Sequence, residues 1–278
     1  MSYNYKKTYV PKKGYTPICK IGECSLKKLE FGIIELSGGE SIDFYTADKE
    51  TAFIMLSGHC NVKVGDEVYE NVGNRRDVFE NRRAESFYMP IEQNLTITAI
   101  DDIKIAVCAT PVKEKTAPQL LRADRVTLKL LGEVPFQRET SFIIDGTTNA
   151  KVLTIGEAYC TEGNWAGFPP HKHDEDNMPT ECIAEEIYYF LFDTKQGFAV
   201  QCLYTSDGEI EEAYRVKNDE LVEFPRGYHT TVSTPDTSPI SSGLWQEIIR
   251  ALTAQAILNT LGLKKDKGWN KNELPFRY

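Results

Sequence analysis

Short apolar runs, many alternating with polar residues and broken by Gly, Asp or Asn, recur along most of this chain. LEFGIIEL, TAFIMLSG, CNVKVGDEVYEN, ESFYMP and LTITAIDDIKIAVCATP are rich in β-branched and aromatic residues, the composition of strands. PVKEKTAPQLLRADRVTLKLLGEVP, charged and with two prolines near its start, reads as a connection. A second series follows in AKVLTIGEAYCTEG, EEIYYFLFD, FAVQCLYTSDG and EAYRVKNDELVEFP. Two series of short, regularly spaced strands predict an all-β protein of two β-barrel, jelly-roll-like domains. The expected boundaries are 1–125 and 126–237, followed by a tail over 238–278.

The two series echo each other. ESFYMPIEQNLTITAI in the first and ELVEFPRGYHTTVSTP in the second share an acid, an apolar pair, a proline, a polar turn and a Thr-rich run. Only the second places a histidine at the turn. The tail breaks the pattern: Trp245, Ile248, Ile249, Leu252, Ala256 and Leu261 recur at helical spacing. Ser241 or Ser242 can cap the start of such a helix and Gly262 can end it, which predicts an amphipathic helix against the barrel.

Composition narrows the function classes. With 278 residues and 41% hydrophobic positions the chain can bury a substantial core. A net charge of −9 argues against a nucleic-acid surface, which needs clustered Lys and Arg. MSYNYKKTYVPKKGY has no apolar core segment and is not read as a signal peptide, and no stretch reaches the length of a membrane span. The seven scattered cysteines form no C-x-x-C pair and are expected to be reduced, mostly buried thiols of a cytoplasmic protein.

Chemistry concentrates in GNWAGFPPHKHDEDNMPTECIAEEIYYF, residues 163–190, which holds two of the four histidines. His171 and His173 are i, i+2, so on a strand both would face one metal ion. His229 follows fifty-six residues after His173, in PRGYH. Asp174, Glu175 and Asp176 look like a solvated run. Glu185 and Glu186 open an apolar strand, where a buried carboxylate needs a cation. Alternation puts Glu186 on the face of Tyr188 and Phe190, and Glu185 on that of Ile187 and Tyr189. The pattern alone leaves the choice between them open.

H-x-H, a Glu before an aromatic strand, then P-x-G-x-H resembles the paired metal motifs of the cupin superfamily. Twelve residues separate His173 from Glu186, where the usual motif has only a few. That insertion, with GNW…PPHKHDEDNMP, EEIYYF, ENVGNRRDVFENR and QGFAVQCLYTSDGEIEEAYRVKNDELVEFPRGYH, resembles the 5-deoxy-glucuronate isomerases of bacterial myo-inositol catabolism over roughly residues 25 to 236. The resemblance implies a bicupin with a metal-free first barrel and a metal set of His171, His173, Glu186 and His229. It implies conversion of an open-chain 5-deoxy-uronic acid to 5-keto-2-deoxy-gluconate. Zinc is the expected ion, and manganese, iron or nickel also suit the donors. Glu185 and Tyr188 are the candidate proton carriers, and Arg138, Lys172, Arg226 and Tyr228 the candidate contacts to a sugar acid.

Three other readings share these ligands: a 4-deoxy-5-keto-uronate isomerase of pectin breakdown, an iron dioxygenase, and a non-catalytic sugar-acid sensor. The partner expected is a small sugar acid, with neither nucleic acid nor membrane, and a homo-oligomer is compatible with the pattern. After His229 the chain departs from the family, which continues with a tyrosine-rich closing strand, a Met-Ala-Gly-Pro turn and a Trp-containing tail. The closing strand is thus unaccounted for: the tail replaces it, a partner supplies it, or the fold is partly open.

Overall fold

The computed structural model describes residues 3–177 and 181–235 with their side chains, and 243–251 as backbone. Among the described residues the fold is essentially all-β, with a single 3-10 turn at Ala123–Arg125 and no α-helix. Strands lie where the apolar runs predict them, and others, among them Lys6–Thr8, Gly14–Cys19, Ser41–Tyr45 and Arg138–Ile144, fall outside those runs. TAFIMLSG and CNVKV join into one strand, Lys49–Val64, and the charged connection carries two short strands, Gln119–Leu121 and Thr127–Leu131.

The strands between Gly14 and Leu121 form a nine-stranded assembly around Lys49–Val64. That strand pairs with Ser86–Met89 and Ile103–Pro111 along its first part, and with Glu67–Arg75 and Asn94–Ala99 along its second. It changes partners near Gly58 (φ +76°), where a Cβ would lie 2.3 Å from the Asp102 carbonyl oxygen. A side chain would block that approach, so the bend requires glycine.

A seven-stranded sheet runs in the order Lys6–Thr8, Glu220–Phe224, Glu186–Phe192, Gly243–Ala251, Leu153–Cys160, Arg138–Ile144, Thr127–Leu131. A four-stranded sheet runs Trp165–His171, Tyr228–Ser233, Ala199–Tyr204, Glu211–Val216. The sequence echo has a structural counterpart. Ser86–Met89 and Glu220–Phe224 each end at a proline turn that leads into the next strand.

The tail corrects the helical expectation over part of its length. Gly243–Ala251 is a strand, antiparallel to Leu153–Cys160 on one side and Glu186–Phe192 on the other. Two unsatisfied strand edges offer backbone hydrogen bonds along both sides of this segment, and that outweighs a local helical period. The strand fills the gap that the departure from the family pattern leaves open. The rest of the expected helix, through Leu261 and Gly262, lies outside the described residues.

Three apolar clusters organise the interior. One fills the first-half sheets around Phe53, Phe87 and Ile97, and another fills the second-half sheets around Tyr188, Phe190 and Phe224. The third joins both halves, bringing Phe31, Ile54 and Tyr88 against Ile155, Ile187, Tyr189 and Leu221. This explains why IYYFLF is apolar at successive positions: Tyr188 and Phe190 face the second-half interior, while Ile187 and Tyr189 face the first half. Each large side chain buried there contributes roughly 1.5–3 kcal/mol before ordering entropy.

Two buried polar anchors cross the same junction. Glu50 accepts N–H bonds from Lys151, Val152 and Leu153 at 2.7–2.8 Å and the Tyr88 hydroxyl at 2.9 Å. Arg75 donates through both terminal nitrogens to Glu157, both side chains being fully buried. Burial alone would lower the Arg75 pKa, but the Glu157 carboxylate and the Tyr159 hydroxyl beside it raise it instead.

One cysteine expectation is also corrected. Cys19 and Cys24 form a disulfide, because the turn at Lys20–Glu23 brings their Cα atoms to 5.5 Å. The other five are outside disulfides, and of these only Cys202 is not buried.

Candidate metal centre

The four-stranded and seven-stranded sheets meet at one group of imidazoles and a carboxylate. His171 ends the strand Trp165–His171 and pairs directly with His229 on Tyr228–Ser233, their rings 4.5 Å apart. The ladder skips from Ala166 to His171 across Gly167, Phe168, Pro169 and Pro170. The two prolines have no N–H to contribute, so this stretch leaves the ladder and turns His171 inward. His173 lies beyond the strand end rather than on it. Its carbonyl accepts the Ala184 N–H at 3.0 Å, which folds the insertion back and sets the His173 ring 5.0 Å from His171.

Glu186 opens the strand Glu186–Phe192 and is 1% exposed, as is His229. Its Oε2 lies 2.9 Å from His229 Nε2 and 3.6 Å from His173 Nε2. One ligand atom from each of His171, His173, Glu186 and His229 falls within 4.8 Å of all the others. Three imidazoles and one carboxylate so placed suit a borderline divalent ion, whose tetrahedral ligands lie a little over 3 Å apart at bond lengths of about 2.0–2.2 Å. Phe224 and Tyr188 wall the site, with ring centroids 4.8 and 5.8 Å from that of His229. A narrow cleft at the site is lined by His173, Glu186, Phe224, Arg226 and His229.

The other sequence candidates separate. Glu185 lies outside the group: its carboxylate accepts the backbone N–H groups of Lys27 and Lys28 at 2.7–3.0 Å. Alternation turns it to the opposite face from Glu186, so the fold does not bring it to the imidazoles. Tyr188 is buried on the Glu186 face. Arg138 sits opposite Cys160, a residue of the second-half interior, and so shares that face. Its Nε is buried without a hydrogen-bonding partner among the described residues.

Lys172 is engaged with Glu181 and Glu175 at 2.8 and 3.0 Å, and Arg226 pairs with Asp207 and Glu209. Burial alone would lower the Lys172 pKa, and the two carboxylates raise it. Tyr228 stacks on Tyr204 at 5.5 Å, and alternation directs it away from the face of His229. Arg226 nevertheless lines the cleft at the imidazoles with His173 and His229.

Two residues that the sequence did not mark as functional hold the insertion in place. Asp174 accepts the Gly227 N–H at 2.7 Å, joining the segment of His171 and His173 to that of His229. Glu181 accepts the N–H groups of Asp174 and Glu175 at 2.7 and 2.9 Å besides binding Lys172. Asp174 belongs to the acidic run that looks solvated in sequence and Glu181 lies beyond it, and only their folded partners distinguish them.

Comparison with known proteins accords with this geometry. The 5-deoxy-glucuronate isomerase of Bacillus subtilis (strain 168) is 34% identical over 212 residues, spanning 76% of this chain and 78% of its own. That of Shouchella clausii is 32% identical over 233 residues, 83% and 86% of the two chains. The crystal structure of an IolB-like protein from Salmonella typhimurium LT2 superposes with a TM-score of 0.82 at 28% identity, covering 90% of this chain and 93% of that one. Oxalate decarboxylase of Lactobacillus farciminis shares the fold, with a TM-score of 0.62 at 10% identity over 91% and 87% of the chains. The KduI/IolB family pattern matches residues 5–238 of this chain, which therefore belongs to the KduI/IolB family.

Proposed function

We propose that this protein is a metal-dependent aldose–ketose isomerase that converts 5-deoxy-glucuronate to 5-keto-2-deoxy-gluconate in myo-inositol catabolism. The observation that carries the proposal is the convergence of His171, His173, Glu186 and His229 in a member of this family. Curated relatives bearing the isomerase name support the substrate. We take the chain as a bicupin, divided at about residues 125 and 237 as the sequence suggests, with the metal-binding barrel second. Zinc is the ion proposed, and the cytoplasm the compartment. No helix among the described residues is long and apolar enough to cross a membrane.

A divalent ion bound to the four side chains supplies positive charge to adjacent carbonyl and hydroxyl oxygens, favouring loss of the proton on the carbon between them. The protein's own groups do the rest. Tyr188, on the Glu186 face, is the residue we assign to carry the proton between the two carbons. Arg138, with its Nε facing the same interior, is assigned to the substrate carboxylate. Phe224 and Tyr188 exclude water around His229.

The test is a proton NMR assay with 5-deoxy-glucuronate, run with metal analysis of the purified protein. Turnover with about one metal equivalent is expected, and His171→Ala with His173→Ala should lose both. Faster turnover of 4-deoxy-5-keto-uronate, oxygen uptake, or binding without turnover would each replace the reading.

A further inference from the structure

A second group of metal-ligating side chains lies outside the centre described above. Cys19 and Cys24, from the first half of the chain, and Glu223, from the second, each place a ligand atom within 4.8 Å of the other two. The cysteines are spaced C-x4-C around a turn in which the Glu23 and Cys24 N–H groups both bond the Lys20 carbonyl. That spacing is one used by structural zinc ligands.

Glu223 is an independent indication. It is fully buried, yet its two oxygens are treated unequally. Oε2 accepts the Ser25 N–H at 2.9 Å, the Ser25 hydroxyl at 2.5 Å and the Tyr3 hydroxyl at 3.1 Å. Oε1 is buried without a hydrogen-bonding partner among the described residues, and Lys7 Nζ forms a long ion pair with it at 3.8 Å. Two cysteine sulfurs and this buried carboxylate make a set of one hard and two soft donors.

We propose that Cys19, Cys24 and Glu223 form a thiolate site for a zinc-like divalent ion, open when the cysteine pair is reduced and closed by the disulfide. The opening step balances. An external dithiol transfers two electrons and two protons, the Cys19–Cys24 S–S bond breaks into two thiols, and the dithiol closes to its own disulfide. Binding a divalent ion then releases the two thiol protons to solvent, with water or the Ser25 hydroxyl completing the coordination. The ion would join the two halves directly behind Phe224, whose ring lies 4.8 Å from that of His229.

Cobalt reports this site separately from the histidine centre, because thiolate–cobalt charge-transfer absorption in the near-ultraviolet has no counterpart in a His and carboxylate set. Full-length protein is stripped of metal, reduced anaerobically with a dithiol, desalted and titrated with cobalt. One equivalent beyond the histidine centre is expected, with the charge-transfer band, and zinc should bleach it. Cys24→Ser and Glu223→Gln should lose the band while the histidine centre still takes cobalt. Failure of reduced wild-type protein to develop the band, or its survival when both Cys19 and Cys24 are serine, overturns the proposal.

Should a variant misfold, differential alkylation of the reduced wild-type chain decides. Zinc should protect Cys19 and Cys24 and leave Cys202 as reactive as before. Equal labelling of the pair with and without zinc counts against the site.

Discussion

Replacing Arg75 with methionine probes how the two halves are held together. In the native chain its guanidinium binds Glu157 bidentately, with Nη1 to Oε2 at 2.8 Å, and donates to the carbonyls of Met55 and Asn81 at 2.9 and 3.0 Å. Neither charged side chain has solvent-exposed area, so no water replaces a lost partner. Removing one member of such a pair strands the other charge and costs about 3–5 kcal/mol. For a chain of this size the loss lowers Tm by roughly 6–20 °C, at about 2–4 °C per kcal/mol. Glu157→Leu should cost a similar amount, since it leaves the guanidinium buried.

The double variant Arg75→Met with Glu157→Leu removes both charges and keeps an apolar volume at the junction. It should recover most of the stability, leaving a deficit of about 2 kcal/mol from the two abandoned carbonyls, at about 1 kcal/mol each. Tyr159 does not add to the deficit, because its hydroxyl also donates to the Val78 carbonyl at 3.1 Å. Urea unfolding of wild type, both singles and the double, followed by circular dichroism, measures the cycle. A double variant no more stable than Arg75→Met, or a single losing less than about 1 kcal/mol, would refute the claim that stranded charge dominates here.

Glu186→Gln should release the metal, whereas Glu185→Gln should keep it and lose about 1–3 kcal/mol of stability, because Glu185 serves the Lys27 and Lys28 amides; metal analysis and melting curves separate the two. Asp174→Ala removes the acceptor of the Gly227 N–H and should weaken metal binding by roughly 10–100-fold with little change in Tm, checked by competition with a chelating dye. Burial alone would raise the Glu181 pKa, but Lys172 and the Asp174 and Glu175 amides outweigh it and hold the carboxyl below its ordinary range. The stabilisation is therefore complete above the ordinary carboxyl pKa and lost as pH falls through the lowered one, so hydrogen-exchange protection at Asp174 and Glu175 should fall on that side only. Truncation after Thr237 removes a strand flanked on both sides and should give aggregated protein; a soluble product with unchanged Tm would show the strand to be dispensable.

Much of the fold was legible because strand signals are local. Alternation and β-branched composition marked the segments that contain Glu30–Leu36, Leu153–Cys160 and Ala199–Tyr204. The tail was misread because Trp245, Ile248, Ile249 and Leu252 satisfy helical spacing, while the two open edges that make Gly243–Ala251 a strand belong to other segments. The adjacent β-branched pair Ile248 and Ile249 was the local hint. Glu185 and Glu186 could not be separated by pattern alone for a related reason. Both faces of their strand are covered, so apolar composition marks neither as the interior of the second half.

The long insertion shows why sequence spacing and spatial spacing part company here. Twelve residues between His173 and Glu186 would, if unstructured, leave the carboxylate free to wander from the imidazoles. Backbone bonds prevent it. Asn177 and Glu181 exchange N–H···O bonds at 3.1 Å, and Ala184 returns one to His173, so the chain leaves and re-enters at nearly the same place. Lys172 and Glu181 hold the base of that excursion, and Asp174 ties it to Gly227 beside His229. Three of the four ligands are thus fixed by a neighbour that is not a ligand: His173 by Ala184, His229 through Asp174, and Glu186 by a strand whose preceding residue is bonded to Lys27 and Lys28. The insertion therefore lengthens the chain between ligands without loosening them, and the positions most sensitive to substitution extend past the four donors to Asp174, Glu181 and Glu185.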